Sequence, residues 1–199
     1  MNVVAGPAGT STRERLLAAA RELIETGGYG SASVVAIASR TGVAAATLYR
    51  HFPSKEELFL KVFRDVCGGE ERAMAAAADE AGSGAVARLE AVLATFARRA
   101  LQNPRLAWAL LAEPVDPLVD AERLEYRRRY AELIERELRA GIAGGEIPDQ
   151  DAAFTAAALV GGCGEALVGP LSPVAAARPG PDEVVGSIRA FVRRAIGAA

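Results

Sequence analysis

Apolar side chains recur at intervals of three and four residues along most of this 199-residue chain. Such spacing places them on one face of an α-helix and is typical of helices that pack against a core. Serine, asparagine, aspartate, glycine and proline interrupt the pattern at positions where helices usually begin or end. We find no alternation of apolar and polar residues typical of a strand. The pattern predicts an all-α protein of nine or ten helices.

Three short helices are predicted near the start of the chain. Residues 1–10 precede them without any periodicity, and we expect these ten residues to form a flexible arm. Gly27 and Gly28 end the first helix, and Pro53 closes the third. The predicted spans run from Ser11 or Thr12 to Thr26, from Ser33 to about Arg40 and from Ala44 to His51.

A longer helical body follows. Ser54 with Glu57 three residues later is a capping-box pattern, and Gly68 with Gly69 either ends or kinks the helix that Ser54 begins. The other predicted spans are Glu70–Glu80, Ala85–Gln102, Arg105–Ala112, Val119–Arg139, Gln150–Val168 and Pro181–Ile196. In the helix that Gly141 is expected to end, the i,i+4 pairs predicted to form are Glu125/Arg129, Glu132/Arg136 and Glu135/Arg139. We expect a head of residues 11–53 and a body of residues 54–199.

Composition agrees with a helical fold, and charge suggests a partner. The 43 alanines favour helix over strand. The net charge of −2 alone argues against binding nucleic acid. However, residues 1–65 carry eight basic and six acidic groups, whereas the remainder carries fifteen basic and nineteen acidic groups. A basic head on an acidic body has the sign expected of a protein that binds nucleic acid through its head.

Enzyme and metal chemistry have little support in the sequence. His51 is the single histidine, which removes multi-histidine metal sites and most nucleophilic triads. Cys67 and Cys163 stand far apart and are expected to be small core residues. No glycine-rich phosphate loop or zinc-protease motif occurs. We therefore expect no catalytic site, cofactor or metal.

The sequence also predicts a cytoplasmic protein. The longest uncharged apolar run, residues 152–164, is shorter than the ~20 residues that cross a bilayer. The first residues carry no basic segment followed by an apolar one, so no secretory signal is visible. We expect no membrane partner.

The most informative stretch is a candidate helix-turn-helix between residues 33 and 55. Its spacing places Ile37 and Ala38 on one short helix, Gly42 in a tight turn, and Leu48 and Phe52 at core positions of the next helix. Two short helices packed in this way present the second helix to the DNA major groove, whose width admits one α-helix.

A longer segment, GYGSASVVAIASRTGVAAATLYRHFPSKEELF, resembles the DNA-binding head of the TetR (tetracycline-repressor) family of regulators. The resemblance covers about residues 12–62; beyond them, only the layout of a helical body fits. It implies a three-helix DNA-binding head and a body that encloses a ligand cavity and forms a homodimer through its last two helices. The elements that carry it are Gly28-Tyr29, Ile37-Ala38, Gly42-Val43, Thr47-Leu48-Tyr49, His51-Phe52 and Ser54-Lys55-Glu56.

Matching positions in the family motif imply which residues contact DNA. Thr47 and Tyr49 would contact phosphates from the recognition helix, and Lys55 would hold another phosphate. His51 falls where the family often places a backbone-contacting residue, and Ser33 is expected to cap its helix and touch phosphate. The alternative for Tyr49 and His51 is partial burial in a small core.

This sequence departs from the common family pattern where side chains reach base edges. Val35, Ala44, Ala45 and Ala46 offer only van der Waals contact, for example to thymine methyl groups. Arg50 is the one long polar side chain left in the recognition helix, so we expect it to read bases directly, with Arg13 reaching phosphate or the minor groove. The alternative is that Arg50 contacts a phosphate or remains solvated.

Apolar residues on separate helices of the body predict a cavity for a small hydrophobic ligand. Glu113 or Arg127 would orient such a ligand. The alternative for each apolar residue is ordinary core packing. The predicted lining residues are Phe96, Trp108, Leu111, Tyr126, Tyr130 and Phe154.

The segment AAFTAAALVGGCGEALVG is dense in small residues that permit close approach of helices. We expect it to form the dimer interface with the last helix, which would place Cys163 near the twofold axis. The predicted interface residues are Ala157, Val160, Gly161, Gly164, Val184, Ile188 and Phe191.

Together these patterns predict a homodimeric transcriptional repressor that binds a double-stranded DNA operator and is released by a small hydrophobic ligand. The helix that begins after Ser54 would connect ligand to DNA, because it leaves the head and enters the body. Two alternatives remain open at the level of sequence. One is a DNA-binding dimer with no small-molecule effector, either constitutive or controlled by another protein. The other is a helical enzyme or carrier with an incidental helix-turn-helix.

Overall fold

The structure is a computed structural model that describes residues 11–175 and 178–198. Within those residues it contains nine α-helices and no strand, which confirms the predicted all-α fold. The predicted flexible arm, residues 1–10, lies outside the described residues.

Three helices form the head. They are α1 (Thr12–Gly27), α2 (Val34–Thr41) and α3 (Ala45–His51), with a single 3-10 turn at Tyr29–Ser31. Ser11 and Glu14 form a complete capping box at the start of α1. The Ser33 hydroxyl accepts a hydrogen bond from the N–H of Ala36 and thereby caps α2.

Six helices form the body. They are α4 (Lys55–Glu80), α5 (Ala85–Gln102), α6 (Pro104–Leu111), α7 (Pro117–Ala143), α8 (Ala152–Leu171) and α9 (Pro181–Ala195). Helix α5 lies at the centre, with Leu89, Val92 and Leu93 fully buried, and it contacts α4, α6, α7, α8 and α9. Because α1 packs against both α4 and α6, one continuous apolar core joins head and body.

Helix α4 continues through Gly68 and Gly69, so this glycine pair does not end it. Two tyrosines of α7 hold α4 just before the pair: the Tyr126 hydroxyl donates to the Arg64 carbonyl at 3.1 Å and the Tyr130 hydroxyl donates to the Cys67 carbonyl at 3.0 Å. Each helical glycine costs ~1 kcal/mol relative to alanine. Packing against α7 outweighs that local preference.

Gly141 does not end α7, contrary to the prediction, and the helix continues to Ala143. A Cβ atom at Gly141 would lie 2.5 Å from Cδ1 of Ile147 and 2.8 Å from Cβ of Ala85. Glycine is therefore required here by close packing, since α5 and the segment after α7 leave no room for a side chain.

Two of the three ion pairs predicted along α7 do not form. Glu135 and Arg139 pair as expected. Arg129 instead reaches Glu71 on α4 at 2.7 Å, and Arg136 pairs with Glu137 at 3.1 Å. The pattern within one helix does not reveal a carboxylate supplied by a neighbouring helix.

A partly buried ion pair ties α5 to α7. Nε of Arg88 lies 2.6 Å from Oε2 of Glu137, the one buried charged residue among those described. Arg88 also donates to the carbonyls of Gly82 at 3.2 Å and Ser83 at 2.5 Å. The guanidinium thus fastens the start of α5 to α7.

Helix α8 is long and apolar enough to cross a membrane, with 20 residues and a mean hydropathy of 1.5. Length alone therefore does not exclude a membrane span, although the uncharged run within α8 is shorter. Its inner face buries Ala156, Leu159, Cys163 and Leu167 inside the protein. Core helices of soluble proteins have the same composition, so the helix is weak evidence for a membrane segment.

Both cysteines are buried and unpaired, as expected for small core residues. Burial raises the pKa of the Cys67 thiol and of the Cys163 thiol to about 12. A thiol with such a pKa stays protonated near neutral pH and is a poor nucleophile. Cys163 lies on the inner face of α8, with 1% of its surface exposed.

Candidate nucleic-acid interface and interior cavities

Helices α2 and α3 form the predicted helix-turn-helix. Gly42 follows α2 with φ of 69° and ψ of 26°, in the left-handed region that favours glycine. Its N–H and that of Val43 donate to the last carbonyls of α2. Ile37 of α2 is buried with Leu48 and Phe52, so the opposite face of α3 is left free.

The outer face of α3 carries the residues predicted to contact DNA. Ala45, Tyr49, Arg50 and His51 are exposed, with 53% of Tyr49 accessible, which removes the alternative of partial burial for Tyr49 and His51. Thr47 is half-buried, and its hydroxyl accepts a hydrogen bond from Nη2 of Arg50 at 2.9 Å. In the absence of DNA, Arg50 therefore folds back along its own helix.

Four basic side chains of the head and the first turn of α4 have no carboxylate partner among the described residues. Arg13 lies over the Phe52 ring at 4.8 Å, Arg15 donates to the Thr41 carbonyl at 2.7 Å, and Arg50 binds Thr47. Lys55 is the fourth. The other cations of residues 11–65 are paired, as Arg21 with Glu25, Arg40 with Glu22, Lys61 with Asp65, and Arg64 with Glu122. The unpaired charges remain available to phosphates.

Lys55 is held in place by Tyr29. Its Nζ lies 4.1 Å from the centroid of the Tyr29 ring and 3.3 Å from the Tyr29 carbonyl oxygen. The Tyr29 ring also contacts Phe59 edge to face, with centroids 4.4 Å apart. Burial raises the pKa of Tyr29. The ammonium group is therefore positioned at the start of α4 before any phosphate arrives.

The positions predicted to reach base edges present an apolar surface. Val35 is 75% exposed, and Ala44, Ala45 and Ala46 are also exposed. Ala44 stands at the N-cap of α3 and forms no side-chain cap, as expected.

Two adjoining cavities lie in the body. The first, of about 210 Å³, is bounded by α4, α5, α6 and α7, and the second, of about 380 Å³, extends toward α8. Four of the six predicted lining residues border these cavities. Phe96, Leu111 and Tyr130 line both, and Tyr126 lines the first.

Trp108 and Phe154 were expected to line a cavity, and this prediction is wrong. Trp108 packs against the core and borders neither of the two cavities. Phe154 is 72% exposed on the outer face of α8 and borders neither cavity. Helical spacing identifies apolar stripes, but it does not distinguish an inward stripe from an outward one.

A model described as "Bacterial regulatory proteins, tetR family" matches residues 16–62, and a model described as "Tetracyclin repressor-like, C-terminal domain" matches residues 82–167. The HTH-type transcriptional regulator UidR of Escherichia coli K12 is 30% identical over 152 residues, which cover 75% of this chain and 76% of UidR. The chain belongs to the TetR family. It is a DNA-binding transcriptional regulator, and this family is not a class of enzymes.

Other TetR-family proteins extend the comparison. The transcriptional repressor KstR of Mycobacterium tuberculosis is 31% identical over 142 residues, which cover 70% of this chain and 61% of KstR. The fold matches the regulator FadR from Bacillus subtilis, solved in complex with stearoyl-CoA, with a TM-score of 0.76 and 21% identity. That match covers 93% of this chain and 98% of FadR.

In this TetR-family chain, α6 connects the first cavity to the head. Nη2 of Arg105 donates to the Gly27 carbonyl at 2.9 Å and lies 3.3 Å from Oε1 of Glu113. Oε2 of Glu113 accepts from the N–H of Tyr29 at 3.1 Å. Gly28 has φ of 79°, and a Cβ atom there would lie 1.8 Å from Nη2 of Arg105. We call these residues the α6 junction. The sequence analysis did not predict that they contact one another.

Arg123 of α7 fixes the other side of the α6 junction. Its guanidinium donates to the carbonyls of Ala109 at 2.9 Å, Leu110 at 2.7 Å and Glu113 at 2.7 Å. The first two carbonyls belong to the last turn of α6, where no helical N–H follows to satisfy them, and the third belongs to the segment after the helix. Glu113 therefore belongs to the junction, where both of its carboxylate oxygens already have partners.

The predicted dimer residues fall on two different faces. Ala157 and Gly161 are exposed on α8, Val160 and Gly164 are half-buried, and 43% of Phe191 is exposed on α9. Val184 and Ile188, by contrast, are buried within the chain, and their place in a dimer interface stays a prediction. They line a groove between α8 and α9. The inner face of α9 packs on α5.

Proposed function

We propose that this protein is a cytoplasmic homodimeric repressor that leaves its operator when a small hydrophobic ligand enters the body. The proposal rests on α6, because this helix borders the first cavity and also contacts the head. Leu106, Ala107 and Leu110 of this helix line the first cavity, while Arg105 and the Glu113 that follows the helix hold the head. A ligand that displaces α6 would therefore displace the head.

DNA binding in this proposal uses the unpaired cations and the outer face of α3. Ser33, Thr47, Tyr49, His51 and Lys55 contact the phosphate backbone and set the position of the protein on DNA. Ala45 gives van der Waals contact in the major groove. Arg50 exchanges its bond to Thr47 for a base edge and supplies the hydrogen-bonded readout.

Dimerisation is supported by glycines that have no packing role within the chain. At Gly161 and Gly169 of α8 and Gly186 of α9, an added Cβ would meet no described atom within 4 Å. Each helical glycine costs ~1 kcal/mol relative to alanine. Close approach of helices from a second copy accounts for that cost, and it would also cover Phe154 and Phe191.

A change of association state tests the dimer. Phe154→Asp places a carboxylate in the first turn of α8, where the helix dipole favours it, so the protomer should stay folded. Sedimentation should show a dimer for the parent protein and monomers for this variant. The control is Leu124→Asp, on an equally apolar and exposed site of α7, which should remain dimeric. A dimer unaffected by Phe154→Asp would overturn this interface.

Hydrophobic ligands are supported by the apolar walls of the cavities and by the shared fold with FadR, whose structure contains stearoyl-CoA. Release from DNA requires that the ligand bind better to the arrangement that cannot bind operator, with a coupling of about 1–3 kcal/mol. Helix α4 participates, because it starts at Lys55 and lines the first cavity with Phe63 and Val66.

DNA binding is tested first, by mobility shift with the DNA that precedes its own coding region. Specific binding that weakens steeply with salt is expected, because phosphate contacts release counterions. Hydrophobic compounds are then screened by thermal shift, and those that stabilise the protein should release the DNA. Binding without salt dependence or sequence preference contradicts the proposal. DNA binding with no response to any compound would favour a regulator without a small-molecule effector.

A further inference from the structure

Arg127 lies where the two cavities meet. The first and second cavities share four lining residues, Phe96, Leu111, Arg127 and Tyr130. Three of these are apolar or aromatic, so Arg127 carries the one charge in the region that both cavities share. An elongated ligand that occupies both cavities would pass beside its guanidinium.

The other arginines around the first cavity are already neutralised. Arg21 pairs with Glu25 at 2.8 Å, and Arg99 binds Glu70 through two hydrogen bonds of 2.6 Å and 3.0 Å. Arg123 pairs with Asp120 and caps α6. Arg127, in contrast, has no ion pair or hydrogen bond with any residue in the described ranges. Arg127 is exposed to solvent at the edge of both cavities, and no carboxylate in the described ranges pairs with it.

The remaining polar groups do not duplicate this role. The hydroxyls of Tyr126 and Tyr130 donate their protons to carbonyls of α4. Glu165 of α8 is the other charged group of the second cavity and forms no ion pair within the described chain. A carboxylate there repels an anion, whereas Glu70, the carboxylate of the first cavity, is paired with Arg99. A negative head group is therefore favoured on the side of Arg127 that faces the first cavity.

We propose that the ligand of this regulator is an amphipathic anion, with one acidic head group on an extended apolar chain. The inference rests on the proposed ligand response. The head group binds the guanidinium of Arg127, which offers two parallel N–H donors to a carboxylate or phosphate. The apolar chain lies past Phe96 and Leu111 in the second cavity.

Three probes of equal chain length separate charge from hydrophobicity: decanoate, decanol and decyltrimethylammonium. Calorimetric titration of the full-length protein should show decanoate binding roughly tenfold more tightly than decanol, the effect of one charged hydrogen bond. The ammonium probe should bind weakest. Arg127→Gln should weaken decanoate binding by about the same factor and leave decanol binding unchanged. Arg127→Lys should restore only part of the loss, because lysine keeps the charge but lacks the two parallel donors.

The matched control is Arg128→Gln, because Arg128 is adjacent but pairs with Glu125 and Glu132 outside both cavities. It should bind decanoate like the parent protein. Equal binding of decanoate and decanol, or a decanoate affinity insensitive to Arg127→Gln, overturns the anionic head group while a ligand response stands. Failure of all three probes to bind also overturns it, and the broader compound screen then decides separately whether any ligand exists.

Discussion

Arginine side chains have different partners in the head and in the body. Around α3, the cations at positions 13, 15 and 50 rest on a ring, a carbonyl and a hydroxyl. In the body, the arginines at 88, 99, 105, 123 and 129 are each bound to a carboxylate. These body arginines stabilise the packing of the helices, whereas the three around α3 remain available for a partner that brings its own negative charge.

Net charge conceals this difference. Both regions are rich in arginine, and the chain as a whole is slightly acidic. An arginine that is available for binding differs from one in a structural ion pair because no carboxylate of the same chain contacts it. Arg127 is informative because, of the four arginines that line the first cavity, it is the one without an ion pair among the described residues.

The largest expected effect tests the structural side of this comparison. Glu137→Leu leaves the Arg88 guanidinium without its carboxylate in a site that is largely buried, and should lower the free energy of unfolding by about 3 kcal/mol. Urea denaturation measures it. The double variant with Arg88→Leu should recover much of the loss.

Glu135→Gln serves as its control, since the Arg139 partner of Glu135 is mostly exposed. This change should cost no more than about 0.5 kcal/mol. If the two carboxylates proved equally dispensable, the Arg88–Glu137 pair would have no special structural role.

Arg50→Ala tests the binding side of the comparison. Loss of the hydrogen-bonded base contact should cost about 1–3 kcal/mol of operator affinity and relax the preference at particular base pairs. Titrations against operators with single base-pair changes measure both effects. Arg40→Ala is the control, because Arg40 is paired with Glu22 and should be nearly neutral. A loss equal on all sequences would assign Arg50 to phosphate instead.

Lys55→Gln should weaken binding to every DNA sequence by a similar, smaller amount. Removal of one phosphate contact should reduce the slope of log affinity against log salt by about one. Binding curves at several salt concentrations provide the measurement. Lys61→Gln is the matched control, because Lys61 is paired with Asp65. An unchanged slope would remove Lys55 from the interface.

The smallest expected effect concerns the head alone. Ala44→Ser supplies the missing N-cap of α3 and should raise the free energy of unfolding by about 0.5–1 kcal/mol. Thermal unfolding in the absence of DNA measures it. Ala46→Ser, two residues later and inside the helix, should not raise the free energy of unfolding. A stabilisation by both, or by neither, would exclude capping as the cause.

Local signals predicted the head well. Gly27-Gly28, Gly42 and Pro53 mark helix ends by backbone preference, which requires no knowledge of the rest of the fold. The same reasoning was uncertain at Gly68-Gly69 and wrong at Gly141. At those positions the tyrosines of α7 and the side chains of Ala85 and Ile147 decide the conformation.

Long-range partners account for most of what the sequence did not reveal. The N–H of Tyr29 and the carboxylate of Glu113 are 84 residues apart, and no periodic pattern connects them. Phe154 and Val184 belong to apolar stripes of similar appearance, yet one is exposed and the other buried. Which face of a helix is covered depends on neighbours that the pattern within that helix does not name.

The alanines of the recognition surface have an evolutionary consequence. Ala45 and Ala46 are exposed, so substitution there should change stability little. A single exchange to asparagine or glutamine would add a side chain suited to adenine. New operator preferences are therefore one mutation away, and a duplicated copy of this gene could diverge in its targets without first gaining stability elsewhere.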